Sequence, residues 1–91
     1  MAEVHLRRRH LVGLKQAKVA AQKVADDLAE EFGMAASWDG DVLRLSRSGT
    51  EGELMVTRNE VQFDLRLGVL LAPFRARIEE RANATFDRHF S

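Results

Sequence analysis

Residues 60–67, Glu-Val-Gln-Phe-Asp-Leu-Arg-Leu, alternate without a break. Val61, Phe63, Leu65 and Leu67 face one way, and Gln62, Asp64 and Arg66 the other. A side-chain period of two means a strand with one apolar and one polar face, and a sheet of such strands needs cover on one side only. The rest of the chain must therefore supply one covering layer.

Two helical stretches fit that requirement. From about Leu11 to Phe32 the apolar positions recur at three and four residues: Leu14, Ala17, Ala21, Val24, Ala25, Leu28 and Phe32. Lys15, Lys18, Gln22, Lys23, Asp26, Asp27 and Glu30 form the opposite face, and Gly33 follows as a left-handed stop. At 1.5 Å per residue this helix is about 30 Å long, enough to cross a small sheet. Its bases precede its acids, the reverse of what the helix dipole favours. A second helix runs from Ala72 or Pro73 to about Phe90, with Phe74, Ile78, Ala82, Thr85, Phe86 and Phe90 inward. Pro73 suits a first turn.

The remaining segments read as strands. Residues 3–9 alternate at their start, with Val4 and Leu6 on one face. After Gly33 an antiparallel meander is expected: Ala35–Trp38 and Asp41–Ser48 flank an Asp39-Gly40 hairpin turn, Gly49–Gly52 turn the chain again, and Gly52–Thr57 lead to the strand at 60–67. The predicted class is α+β: strand, long helix, antiparallel meander of three or four strands, C-terminal helix, with both helices on one face. A right-handed crossover would set the first strand parallel to a neighbour. A helix lying diagonally would equally permit an antiparallel edge.

Ninety-one residues without an internal repeat or linker imply one domain, residues 1–91. The chain has no cysteine, which excludes disulfides and thiolate chemistry. No apolar run approaches the roughly 20 residues that span a bilayer, and no apolar signal region follows the start, so the expected compartment is the cytoplasm. Fourteen basic residues balance fourteen acidic ones. That balance argues against nucleic-acid binding, even though Arg7, Arg8 and Arg9 make the start locally basic. On a strand Arg8 points away from the other two, and the trio reads as an edge that discourages strand addition.

No catalytic, cofactor or metal site is expected. His5, His10 and His89 show no ligand spacing; His10 is expected to bond locally at the helix entrance, and His89 to sit at an exposed end. The Trp-Asp-Gly-Asp segment lacks the later ligands of a calcium loop, Ser37, Ser46 and Ser48 have no nucleophile elbow, and Trp38 reads as a packing residue. The surplus lies in residues 65–74, Leu-Arg-Leu-Gly-Val-Leu-Leu-Ala-Pro-Phe, which hold one charge. Leu65, Leu67, Leu71 and Phe74 fit the core by spacing. Val69 and Leu70 are left on the corner, and the candidate interaction surface is Val69, Leu70 and Leu71.

Several pieces in this order resemble the small bacterial proteins of the polyhydroxyalkanoic acid system family: His10–Leu14, Glu30–Gly33, Trp38–Thr57 and Leu65–Phe74. The triple arginine departs from the pattern. The resemblance implies a setting among proteins that make, use and coat polyhydroxyalkanoate granules, and no reaction. The function expected is therefore a non-enzymatic accessory protein at the granule surface, binding the granule, a granule-associated protein or a second copy of itself. A homodimer through the polar sheet face, with Arg44, Glu53, Gln62, Asp64 and Arg66, is one form of this. The alternative is a small acyl-ligand carrier, with room beside Ala17, Ala20, Ala21 and Ala25 between the long helix and the sheet.

Overall fold

A computed structural model describes residues 2–90. The elements are β1 (Ala2–Arg9), α1 (Gly13–Phe32), β2 (Ala35–Asp39), β3 (Val42–Arg47), β4 (Thr50–Val56), β5 (Glu60–Leu67), a 3-10 turn (Ala72–Phe74) and α2 (Arg75–Phe90). They form one five-stranded sheet in the order β1-β5-β4-β3-β2, antiparallel throughout. The expected meander of three or four strands is thus corrected to five. The added strand is β1, which pairs along its whole length with β5, Glu3 opposite Arg66 and Arg9 opposite Glu60.

This order explains the length of α1. β1 and β2 are the two edges, so the helix between them must carry the chain across four interstrand gaps, about 19 Å at the usual spacing. A 20-residue helix of about 30 Å does so on a diagonal. It ends at Gly33, whose φ of 71° lets its N–H reach the Ala29 carbonyl at 3.0 Å while the Met34 N–H reaches Leu28.

The inward faces of the strands and the helices share one core. Val4, Leu43, Leu54, Phe63 and Leu65 from the sheet, Ala17, Ala20, Ala21 and Leu28 from α1, and Ile78 and Phe86 from α2 are all at most 1% exposed. Alanine on α1 lets the helix backbone sit close to the strands. α2 lies beside α1 and covers β1, and Arg8 reaches it there, donating to Asn83 Oδ1 at 3.0 Å and Asp87 Oδ1 at 2.5 Å.

Local boundaries differ from the sequence reading in four places. The first hairpin turns on Gly40-Asp41, not Asp39-Gly40, because Asp39 still pairs with Val42. Gly40 alone of the two has a positive φ, 62°, as expected for a hairpin turn with glycine first. The second turn is only Ser48-Gly49, and Thr50–Gly52 belong to β4. α1 starts at Gly13, leaving Leu11 wholly exposed. Phe74 stands in the 3-10 turn before α2, 43% exposed, with its ring 5.6 Å from Phe32, so it is not a core residue.

Gly52 is an inward position of β4, opposite Leu45 and Leu65. A Cβ there would lie 2.4 Å from the Asp64 carbonyl oxygen and 2.8 Å from the Leu65 Cα, both backbone atoms of β5. Gly52→Ala therefore has to push β4 and β5 apart. Its unfolding free energy should fall by about 1–3 kcal/mol in urea titrations, the range of overpacked sites.

Candidate functional site

Three surface features remain once the core is accounted for. The first is the polar sheet face, which no helix covers. Glu3 and His5 of β1, Asp64 and Arg66 of β5, Glu51 and Glu53 of β4, and Arg44 and Ser46 of β3 line a broad cleft of about 590 Å³. The register sets these charges in cross-strand rows: Glu3, Arg66 and Glu51 in one, and His5, Asp64, Glu53 and Arg44 in the next. Opposite charges across strands support the sheet by a few tenths of a kcal/mol per pair. Four carboxylates against two arginines and His5 leave the cleft with an acidic balance.

His5 is held at both ring nitrogens. Nδ1 lies 2.7 Å from Asp64 Oδ1 and Nε2 2.9 Å from Glu3 Oε1. Carboxylates only accept, so both contacts are hydrogen bonds only when the ring is an imidazolium. The bond to Asp64, then that to Glu3, raises the pKa above its ordinary 6.5. A raised pKa in the folded state means the contribution to stability is complete below the ordinary value and fades as pH rises through the folded value. An NMR titration of His5 should give a midpoint above 6.5, and Asp64→Asn should bring it down.

The second feature is the corner after β5. Val69 is 91% and Leu70 74% exposed, while Leu71 is 5% exposed and belongs to the core. Of the three candidate residues, only Val69 and Leu70 are thus open to a partner in this conformation. The corner is tightly held. The Gly68 carbonyl accepts from the N–H of Leu71 (3.2 Å) and of Ala72 (3.0 Å), and the Gly68 N–H donates to Thr50 Oγ1 at 3.1 Å. A Cβ on Gly68 would fall 2.3 Å from the Gly49 carbonyl oxygen, so the corner lies directly on the β3–β4 turn.

The third feature is a smaller cleft of about 340 Å³ beside Trp38, lined also by Lys18, Val19, Gln22 and Gly40. Trp38 is half-buried against the core, and its Nε1 donates to Gln22 Oε1 at 2.8 Å. Lys18 lies 5.3 Å from the ring centroid and pairs with Asp41 at 2.6 Å.

Other sequence candidates separate. The three arginines divide as strand geometry requires, with Arg7 bound to Glu60 at 3.1 Å and Arg8 to α2. His10 is buried, and its bond is not local. Nε2 donates to the Thr57 carbonyl at 3.2 Å, the ring packs 4.9 Å from Phe90, and Nδ1 has no protein partner. His89 is half-buried within α2. Among the described residues no group of three or more His, Asp or Glu is placed to hold a metal ion, and no helix is long and apolar enough to cross a membrane.

A buried carboxylate escaped the sequence reading. Asp27, assigned there to the outer face of α1, is buried between the helices, where Thr85 Oγ1 donates to it at 3.4 Å and Lys23 and Arg81 lie at 3.4 and 4.0 Å. Thr85 in the apolar row of α2 was its only signal.

The fold and these surfaces define a small two-layer α+β protein with one helix-covered face, one open charged face and an apolar corner. The chain belongs to a family whose model, described as "Putative polyhydroxyalkanoic acid system protein", matches residues 4–90. It is a small protein of the polyhydroxyalkanoate system. No curated protein and no solved structure matches it.

Proposed function

We propose that this chain is a non-enzymatic accessory protein that binds the polyhydroxyalkanoate granule at its apolar surface through Val69 and Leu70. The observation that carries this reading is the corner itself: two neighbouring aliphatic side chains, 91% and 74% exposed, held out on a hydrogen-bonded turn. Isolated exposed aliphatics mean little, but these two are adjacent, and a turn already fixed loses little entropy on docking. A polyester surface is a partner of the matching chemistry. The family setting supplies the polymer.

The acyl-carrier reading has no observation in its favour. Ala17, Ala20, Ala21 and Ala25 are at most 1% exposed in the core, and the two clefts described lie on the open sheet face and beside Trp38.

The test is fractionation of cells accumulating polymer, followed by binding of purified protein to granules stripped of their native proteins. Recovery with both supports direct polymer contact. Recovery with native granules alone assigns the corner to a granule-associated protein, and a protein that stays in the soluble pool overturns the reading.

A further inference from the structure

The end of the molecule remote from the Val69 and Leu70 corner gathers charge of one sign. Four segments meet there on His10. Its backbone N–H donates to the Asn59 carbonyl at 3.0 Å, its Nε2 to the Thr57 carbonyl at 3.2 Å, and its ring packs against Phe90. β1 ends, α1 begins, the β4–β5 turn passes and α2 finishes at this one place. Each segment brings an exposed cation: Arg9 from β1, Lys15 from the first turn of α1, Arg58 from the β4–β5 turn and Arg88 from the last turn of α2.

These four enter none of the ion pairs formed among the described residues. The acids of the same segments and of the nearby β2–β3 hairpin are engaged elsewhere: Glu60 with Arg7, Asp87 with Arg8, Asp41 with Lys18 and Asp39 with Arg44. α1 has no acid in its first turn. A chain of zero formal charge thus concentrates its unmatched cations at one end. α1 points its N-terminus there and α2 its C-terminus, so the two helix dipoles oppose each other and the side chains set the sign.

Leu11 stands among these cations. It follows the buried His10 directly and is wholly exposed, while α1 starts two residues later. The bonds of His10 on one side and the helix on the other hold it out. A lone exposed leucine means little. One set among unpaired cations has the composition that suits the boundary of an anionic lipid layer, where the cations meet headgroup phosphates and the aliphatic tip reaches the acyl chains. A nucleic acid would offer the cations phosphates but give Leu11 no acyl region to enter.

We propose that this end of the protein binds peripherally to an anionic lipid surface, with Leu11 as the inserted tip and Arg9, Lys15, Arg58 and Arg88 as the headgroup contacts. Val69 and Leu70 follow the far end of β5, whereas Arg9 pairs at its start. The two surfaces therefore do not obstruct each other, and the inference does not depend on the granule reading.

The test is co-sedimentation of the purified full chain with vesicles of phosphatidylcholine, alone or mixed with an equal part of phosphatidylglycerol, at low and high salt. Binding to the mixed vesicles that weakens with salt is expected, with none to phosphatidylcholine alone. A cation at an anionic surface is worth about fivefold in partition, so Arg58→Gln and Lys15→Gln should each lower binding about fivefold. Arg66→Gln removes the same charge from the open sheet face and should lower it less than about twofold. Leu11→Ser should lower it about tenfold. All four side chains are exposed, so thermal melts followed by circular dichroism should be unchanged. No binding to the mixed vesicles overturns the proposal. So does an equal loss from Arg58→Gln and Arg66→Gln, which would make the attraction one of total charge. Full vesicle binding by Leu11→Ser, together with equally tight binding of wild type to a DNA duplex, would make the end a general polyanion site and overturn it as well.

Discussion

Phe63→Ala is expected to lower the unfolding free energy by about 3–5 kcal/mol, the cost of emptying a buried aromatic site. Phe63 has no exposed surface, stands in β5 between Leu6 of β1 and Leu54 of β4, and belongs to the core that the sheet shares with both helices. The backbone there is pinned by ladders on both sides, so the site is poorly able to collapse. A domain of this size has about 5–10 kcal/mol in all, so the variant should remain folded at 25 °C with little margin. Its Tm should fall by roughly 15 °C or more in a calorimetric scan. Phe74→Ala is the control, since Phe74 is 43% exposed and stands in the 3-10 turn. A loss at Phe74 as large as that at Phe63 would contradict this placement of the core.

The strands and helices that bury one face were readable because their period survives in the sequence. β5 is the clearest case: Val61, Phe63, Leu65 and Leu67 are all buried and Arg66 is exposed. Where the determinant was remote or backbone-borne, the residues gave no such signal. Nothing near Glu3 marks Arg66 as its neighbour, so the place of β1 depended on how a 20-residue helix crosses the sheet. Gly52 has turn composition around it, yet it is glycine because β5 passes too close for a Cβ. Asp27 sits on a mostly polar face and is drawn inward by α2, a neighbour that helical period alone does not locate. At the corner, Val69 and Leu70 were legible as apolar residues in excess of what a turn can bury. Leu71 follows them in the chain but belongs to the core, because the bonds to Gly68 set the direction in which the turn leaves β5.

Leu70→Asp should detach the protein from granules without unfolding it. Leu70 is 74% exposed, so the folded state loses little with the side chain, and the change in stability should stay within about 0.5 kcal/mol, as for most surface sites. In the proposed bound state the same side chain faces polymer. Burying a leucine is worth about 1.5–3 kcal/mol, and a carboxylate brought to an apolar surface must also shed water. The partition onto stripped granules should therefore drop by at least about tenfold. Val69→Asp should act in the same direction. Leu71→Ala separates the corner from the core: Leu71 is 5% exposed, so this change should cost about 2–5 kcal/mol of stability through the cavity it leaves. Binding measured well below its lowered Tm should nevertheless persist, because Val69 and Leu70 remain in place. Full granule binding by a folded Leu70→Asp protein would remove the corner from the function, and would return Val69 and Leu70 to the ordinary exposed aliphatics that every small domain carries.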